Sequence, residues 1–229
     1  MLSKVGASGK PRAVQAAGAR FGCVLADAGY GSSAGFRQGL ASRGLLYAVG
    51  ILPTQKVYPA DVKLTMPGPK STGRPRKHGI PSAPAVAAAE MIASLGERAF
   101  RQITWREGTK GALSCEFAAV RVRVADGPTD ASGGHLPGEE GWLVCEKREN
   151  GERKYYLTNH PPGTWLRTLA RLIKARWSCE QVHQQMKREL GLDHFEGRGW
   201  RGLHHHALMS MLAFAFLQHL RLGGKAHAG

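Results

Sequence analysis

The chain has 229 residues, of which 42% are hydrophobic, and it carries 32 Lys and Arg against 17 Asp and Glu, for a formal charge of +15. This length allows one large domain or a domain with an insertion, and the apolar content is enough for a core. So large an excess of cations argues against an acidic or neutral binding module. It favours a polyanionic partner, most simply nucleic acid, although an Arg-rich protein from a GC-rich genome has the same balance.

The cysteines and the hydropathy of the chain restrict its compartment. Cys23, Cys115, Cys145 and Cys179 are scattered and form no CxxC pair, which is typical of free thiols in a reducing compartment. The N-terminus has no apolar signal segment, and the longest apolar run, residues 207–217, is too short to span a bilayer. We therefore expect a soluble, cytoplasmic protein that does not bind membranes.

The pattern of residues 1–53 predicts a poorly ordered N-terminal segment followed by a strand–helix–strand unit. Residues 1–20 are expected to be poorly ordered, with a short helix at 12–19 as the one candidate element. Residues 21–53 should form a buried strand (21–26), a helix from Ser32 or Ser33 to Arg43 that ends at Gly44, and a second buried strand (45–51). A crossover of this kind makes the two strands parallel. Asp27 follows the first strand, where ligands collect in open α/β sheets, but a helix-entry or turn aspartate is an equally good interpretation.

The pattern of residues 54–160 predicts an insertion that contains an irregular basic segment, a helix and antiparallel strands. Residues 54–82 should be irregular, with a basic cluster at 72–79 whose Arg74, Arg76 and Lys77 could lie along a minor groove or form a solvated loop. A helix (83–95) should follow, and then four antiparallel strands (102–106, 115–125, 142–147 and 154–159) with a Gly- and Pro-rich loop at 126–141. Arg121 and Arg123 face outward in this pattern, toward phosphates or water.

Residues 161–222 predict helices, and a tail follows at 223–229. Residues 164–175 and 176–190 form one helix or two. In the second segment Arg176, Glu180, His183 and Lys187 fall within roughly a 60° arc, beside an apolar stripe that contains Met186. This arrangement suits a carboxylate used for chemistry, and it equally suits an ordinary amphipathic helix.

The last predicted helix, residues 204–222, is apolar nearly all round and is expected to be buried as a final layer. Its three consecutive histidines, 204–206, invite a metal-site interpretation. Adjacent residues of a helix point in different directions, so these side chains are not expected to converge on one ion.

Taken together, three motifs resemble a known family. They are DAGYG after a buried strand, an Arg176-x3-Glu180-x6-Lys187 spacing, and the run ELGLDHFEGRGWRGLHHH that begins at Glu189. They resemble the insertion-sequence transposases of the DDE class, in particular the bacterial branch known as DDE superfamily endonucleases. The resemblance implies an α/β (α+β) fold: an incomplete ribonuclease-H-like core, an inserted antiparallel β subregion and C-terminal helices.

The resemblance also implies roles for single residues. Asp27 and Glu180 look like catalytic, metal-binding carboxylates, because hard cations such as Mg²⁺ or Mn²⁺ take oxygen ligands. Arg176, Lys187 and Tyr30 look like contacts to DNA, and Trp200 could stack on a displaced base or simply pack. The implied partners are DNA (transposon ends and target), further copies of the chain or a full-length transposase, in the bacterial nucleoid.

Two departures from the family pattern shape the functional expectation. Ile173 stands where the family has Tyr, three residues before Arg176, and no acidic residue precedes Asp27 to act as the first catalytic aspartate. Asp61 and Asp126 should lie in loops and replace it poorly. We therefore expect a truncated DDE transposase that is inactive alone. The alternatives are a non-catalytic DNA-binding remnant that inhibits full-length transposase, and a basic structural or ribosome-associated protein.

Overall fold

The chain folds into two compact units, residues 1–174 and residues 175–229. The computed structural model describes residues 16, 18, 22–66, 68, 78–108, 111–130 and 133–226. The predicted helix at 12–19 therefore lies outside the described residues, apart from Ala16 and Gly18. In the part of the chain that is described, no helix combines the length and the apolar character needed to cross a membrane.

One eight-stranded sheet is the centre of the first unit. Its strands are β1 (Val24–Ala26), β2 (Tyr47–Ile51), β3 (Lys56–Pro59), β6 (Val86–Ala87), β7 (Arg101–Gly108), β8 (Gly111–Thr129), β9 (His135–Lys147) and β10 (Arg153–Thr158). They follow the order β1-β2-β10-β9-β8-β3-β6, and β7 also pairs with β8. The short strands β4 (Leu64–Thr65) and β5 (Ile80–Pro81) form a separate pair.

The predicted parallel strand pair is confirmed. Strands β1 and β2 run parallel, with Val24 opposite Tyr47 and Ala26 opposite Val49. The connection between them holds two helices, α1 (Ala28–Gly31) and α2 (Ala34–Ala41), so Asp27 lies at a helix entry, one of the positions that its sequence context indicated. Gly44 follows α2 with a φ of 67°, as expected for the residue that ends this helix.

The inserted strands are antiparallel as predicted, but they do not form a separate subregion. Strand β10 pairs with β2, so the inserted strands continue the sheet that β1 and β2 begin. The loop predicted at 126–141 is wrong, because β8 runs to Thr129 and β9 begins at His135. The register shifts at Ala125 accommodate the Gly- and Pro-rich sequence as irregularities in the ladder.

The segment 54–82 is less irregular than its prolines suggested, since it contains β3, β4 and β5. Helix α3 (Ala88–Ala93) is shorter than the predicted helix at 83–95, because residues 86–87 pair with β3 instead. The Glu90 carboxylate accepts a hydrogen bond from the backbone N–H of Ala87 and closes the start of α3.

Both faces of the sheet are covered by helices. On one face, Leu40 of α2 and Ile92 of α3 pack with Val49 and Val57 of the sheet. On the other face, helix α4 (Leu166–Ala175) packs Leu169, Ala170 and Ile173 against Phe117 and Val144. Leu40, Ile92, Leu169 and Val49 are at most 2% exposed, so burial of their apolar surface is a main source of stability for this unit.

The alternating arginines of β8 do not point freely into solvent. Arg121 forms a 2.7 Å ion pair with Glu140 and lies over the Trp142 ring. Arg123 donates a 2.9 Å hydrogen bond to the Gly138 carbonyl. The two cations thus hold β9 beside β8, and the expectation that they face phosphates or water is wrong.

The second unit contains helices α5 (Trp177–Leu190) and α6 (Trp200–Ala226). Residues 164–190 therefore form two helices, and α5 ends at Gly191 in the left-handed conformation, as predicted. The expectation that the last helix is buried is wrong: Leu208, Met209, Leu212 and Phe216 are 56–66% exposed. Only the opposite side of α6, which includes the 6%-exposed Ser210, is covered, because an apolar helix buries only the surface for which the chain supplies a partner.

A buried carboxylate anchors α4 to the sheet. Glu146 of β9 has no exposed surface, and it accepts hydrogen bonds from Lys174, from the Arg148 Nε (3.1 Å) and from the Tyr156 hydroxyl (3.0 Å). Burial alone would raise the pKa of Glu146, but the hydrogen bond and charge of Lys174, aided by Arg148, outweigh burial and lower the pKa. The carboxylate therefore stays charged and holds Lys174 against the sheet.

We predict that Glu146→Gln lowers the free energy of unfolding by about 3 kcal/mol at pH 7, because it leaves Lys174 without a counter-charge. Glu152→Gln removes a half-exposed partner of the same Arg148 and should cost less than about 1 kcal/mol. Urea unfolding at pH 7 measures both.

The same comparison has a defined pH dependence. Because the pKa of Glu146 is lowered on folding, its stabilisation is present above the unfolded value of 4.5 and is lost as the pH falls through the folded value. The difference between wild type and Glu146→Gln should therefore shrink at pH 3. Equal unfolding midpoints for the two variants at pH 7 would contradict a stabilising role for this network.

Candidate functional site

Asp27 lies directly after β1, at the edge where the two parallel strands end. Its backbone is extended, and its Oδ1 accepts hydrogen bonds from the N–H groups of Gly29 (3.0 Å) and Tyr30 (3.4 Å). Asp27 is therefore the N-cap of α1. Its Oδ2 has no partner among the described residues, and the residue is exposed. One carboxylate oxygen thus caps helix α1, and the other is available to a ligand.

Two glycines fix α1 in place behind this carboxylate. A Cβ on Gly31 would lie 2.0 Å from the Gly50 carbonyl oxygen, and a Cβ on Gly50 would lie 3.0 Å from the Ala28 nitrogen. Helix α1 therefore packs directly on the backbone of β2, at a distance that a larger residue at Gly31 would not allow. This contact determines where Asp27 sits relative to the ends of the strands.

A buried arginine ties the same helix to the inserted strands. Arg37 of α2 is 2% exposed, and it donates hydrogen bonds to the Gly31 carbonyl (2.6 Å) and to Asp126 (2.7 Å). Asp126 belongs to β8, so the expectation that it lies in a loop is wrong, whereas Asp61 does lie in a turn. Nothing in the sequence distinguishes Arg37 from an ordinary exposed helix arginine, and only the fold shows its role.

The Cys23 thiol near Asp27 is not reactive. Cys23 precedes β1, and burial raises the pKa of its thiol to about 11. At neutral pH this thiol is protonated, which excludes it as a nucleophile.

Tyr30 is 47% exposed and packs its ring against Phe36 at 5.8 Å, so part of its role is to hold α1 against α2.

Glu180 belongs to the second unit, on α5. Its Oε1 lies 2.6 Å from the Arg176 Nη2, and both side chains are about half exposed (55% and 44%). The two predicted site residues are therefore paired with each other, one turn apart on the helix. Lys187 is exposed on the same helix. Trp200 begins α6, is 73% exposed and packs edge-on against His204 at 4.3 Å.

The remaining predicted residues fall in different places. Arg74, Arg76 and Lys77 lie outside the described residues. Of the three adjacent histidines, His204 contacts the Trp200 carbonyl through its Nδ1, and His206 contacts the Gly191 carbonyl through its Nε2. Both ring contacts are local to the second unit.

The described residues do not fit a complete divalent-metal centre. Within them, no group of three or more His, Cys, Asp and Glu side chains is placed to hold an ion. Asp27 offers a single free oxygen, and one oxygen of Glu180 is occupied by Arg176. A hard cation such as Mg²⁺ or Mn²⁺ takes about six oxygen ligands, several of them from water, and one free carboxylate oxygen holds it only weakly.

A basic surface on α4 was missed by sequence reasoning. Arg167 and Arg171 lie one turn apart on its exposed side, and Trp165, just before the helix, is 81% exposed. Among the described residues, no carboxylate pairs with either arginine. We call Trp165, Arg167 and Arg171 the α4 basic surface. The signal that could have identified it is the absence of Asp and Glu from residues 153–179, a stretch that contains six Lys and Arg.

The chain is similar to a known family. A family model described as DDE superfamily endonuclease matches residues 10–112. The matched segment contains β1, Asp27, α1, α2 and β2, and it ends before α4 and α5. No curated protein matches the chain.

We predict that Asp27→Ala lowers the free energy of unfolding by about 1 kcal/mol, because it removes the cap of α1, whereas Asp27→Asn changes it by less than about 0.5 kcal/mol. An Asn side-chain oxygen can accept the same two hydrogen bonds without the charge. Thermal unfolding of the two variants measures this difference. Equal losses in both would contradict the capping role and assign the stability to the charge instead.

Proposed function

We propose, from the match of residues 10–112 to a family model described as DDE superfamily endonuclease, that this transposase-like chain binds DNA through its basic helices and does not cleave it when alone. The DDE endonuclease family acts on DNA and generally uses a divalent metal. The observation that carries the proposal is the position of Asp27, an exposed carboxylate with a free oxygen, inside the matched segment and at the carboxyl end of a parallel strand.

The arrangement of charge supports DNA binding. In the first unit, several cations are paired with carboxylates, as in Arg37–Asp126, Arg121–Glu140, Arg148–Glu146, Arg153–Glu97 and Lys147–Glu116. The α4 basic surface and Lys187 of α5 have no such partners among the described residues. Unpaired exposed cations can neutralise phosphates and release counterions, which makes DNA affinity depend strongly on salt.

The site residues keep the roles that the family resemblance implies, as part of the proposal. Asp27 and Glu180 are the two candidate catalytic carboxylates, and Mg²⁺ or Mn²⁺ is the candidate metal. Arg176 and Lys187 are candidate phosphate contacts, with Arg176 becoming free for phosphate only when its bond to Glu180 opens. Tyr30 and Trp200, and the basic residues Arg74, Arg76 and Lys77, complete the candidate DNA contacts.

Two observations support the absence of cleavage by the chain alone. The described residues contain no three-ligand metal cluster. Asp126, an acidic residue at the end of β8, is held by the buried Arg37 and is not free to act as a further metal ligand. Strand cleavage in this family depends on several carboxylates acting together, so a single free oxygen on Asp27 is insufficient.

A second candidate function is that of a non-catalytic remnant that inhibits a full-length transposase by joining its assembly. The exposed apolar side of α6 favours this alternative, because Leu208, Leu212 and Phe216 leave a large hydrophobic surface uncovered. Both candidates place the chain on the DNA of the bacterial nucleoid, in the cytoplasm.

We predict that the chain binds a fluorescent DNA duplex with a steep salt dependence and that Arg167→Glu/Arg171→Glu weakens binding about tenfold or more. The slope of log affinity against log salt should fall by about 2, one unit for each lost phosphate contact. Fluorescence anisotropy between 50 and 200 mM salt, a range chosen from the usual span of such effects, measures both quantities.

The matched control is Arg43→Glu/Arg98→Glu, which makes the same change in net charge at two exposed positions outside α4. It should leave most of the affinity intact. In parallel, supercoiled DNA is incubated with the chain and Mg²⁺ or Mn²⁺, and no nicking is expected. Nicking that Glu180→Gln abolishes would overturn the proposed inactivity, and equal losses in the two double variants would overturn the role of α4.

A further inference from the structure

A cleft of about 530 Å³ opens at the same edge of the sheet as Asp27. Its wall includes Ser32, which follows α1, and Leu52, Thr54, Gln55 and Lys56, which follow β2. Because β1 and β2 are parallel, the residues after both strands meet at one edge. Asp27 and Ser32 flank the two ends of α1, so roughly 7 Å of helix separates the carboxylate from the cleft wall.

The charge of this cleft differs from that of two neighbouring cavities. Lys56 lines it, and no Asp or Glu is among its described lining residues. The other two cavities have acidic lining residues, namely Asp130 in one and, beside Arg37 and Arg123, Asp126 and Glu139 in the other. Lys56 is exposed and has no carboxylate partner among the described residues. The first cleft is therefore suited to an anion, and the other two are not.

The wall also contains an unsatisfied hydroxyl. The Ser32 Oγ is buried and has no hydrogen-bond partner within the described residues. Buried polar atoms are nearly always paired in native proteins, so the unpaired Ser32 hydroxyl is a donor that a ligand at the cleft wall could satisfy. Thr54 and Gln55 add further donors at the rim, and Leu52, which is 54% exposed, adds an apolar surface.

We propose that this cleft, defined by Ser32, Leu52, Thr54, Gln55 and Lys56, binds one phosphate and its sugar from a DNA strand that passes Asp27. Lys56 neutralises the phosphate, the Ser32 hydroxyl donates to a phosphate oxygen, and Leu52 packs against the sugar. The volume lies within the usual range for small-molecule sites, which suits one nucleotide unit. The assignment of the strand to DNA rests on the proposed function; the phosphate chemistry of the cleft does not.

The test uses the full chain and two probes. A fluorescent single-stranded oligonucleotide is titrated by anisotropy into wild type, Ser32→Ala, Lys56→Gln and the matched control Lys63→Gln, an exposed lysine outside the cleft. Thermal unfolding checks that each variant is folded. We expect Lys56→Gln to weaken binding about fivefold and to reduce the salt slope by about 1, Ser32→Ala to weaken it about threefold, and Lys63→Gln to change little.

The second probe separates the strand from a free nucleotide. Thymidine 5′-monophosphate is titrated into ¹⁵N-labelled chain, and the amide shifts of Ser32, Thr54, Gln55 and Lys56 are followed by NMR. Saturable shifts confined to the cleft, together with weaker oligonucleotide binding by Lys56→Gln, support the proposal. Shifts at micromolar nucleotide without oligonucleotide binding would reassign the cleft to a free nucleotide and overturn the proposed function.

The remaining outcomes are equally decisive. If wild type binds the oligonucleotide but the Ser32, Lys56 and Lys63 variants bind equally well, DNA binding stands and the cleft proposal fails. If the chain binds no oligonucleotide and the nucleotide shifts no cleft amide up to millimolar concentration, both proposals fail.

Discussion

The close packing of α1 on β2 is the contact on which the candidate site depends. A Cβ on Gly31 would meet the Gly50 carbonyl at 2.0 Å, so the helix lies directly on the strand backbone. Because of this packing, Asp27 both follows β1 directly and caps α1. Arg37 then secures the far end of α1 by binding the Gly31 carbonyl and Asp126 together. The position of one carboxylate thus follows from two glycines and one buried arginine.

The pairing of charges explains how a chain with a charge of +15 combines a stable interior with the exposed cations that we propose bind DNA. Glu146 is buried, the Asp126 side chain is 9% exposed, and each holds a cation that crosses between elements. Removing either carboxylate would leave a cation uncompensated, which is costly where water is excluded. The cations that remain unpaired, such as Arg167 and Arg171, lie on exposed helix surfaces, where they are well placed to meet phosphates. Net charge alone therefore overstates the number of cations available to DNA.

The sequence predicts the elements governed by local patterns. Two short apolar runs separated by a helix predicted the parallel pair and the position of Asp27, and Gly44 and Gly191 marked helix ends. The extended ladder of β8 and β9 could not be predicted, because the Gly- and Pro-rich residues 126–141 indicate a loop unless the pairing partner is known. Those residues join the sheet only because the partner strand supplies their hydrogen bonds.

Other errors came from tertiary context. The uniform apolarity of α6 predicted a buried helix, yet Leu212 and Phe216 are exposed, since composition cannot show which partner surface exists. Arg37 looked like a surface residue, and only long-range contact with Asp126, 89 positions away, makes it part of the core. Glu180 is the least predictable of the candidate site residues, because the spacing shows its pairing with Arg176 but does not decide whether the carboxylate is catalytic.

We propose that this fold presents the Asp27 carboxylate at an edge of the sheet that binds DNA, without a complete metal centre among the described residues. The most direct test is a Mn²⁺ titration of the intact chain, with free Mn²⁺ measured by electron paramagnetic resonance. Our account predicts only weak binding, in the millimolar range, as expected where one carboxylate oxygen is free. A site of low-micromolar affinity that is lost in the folded Asp27→Asn variant would contradict it.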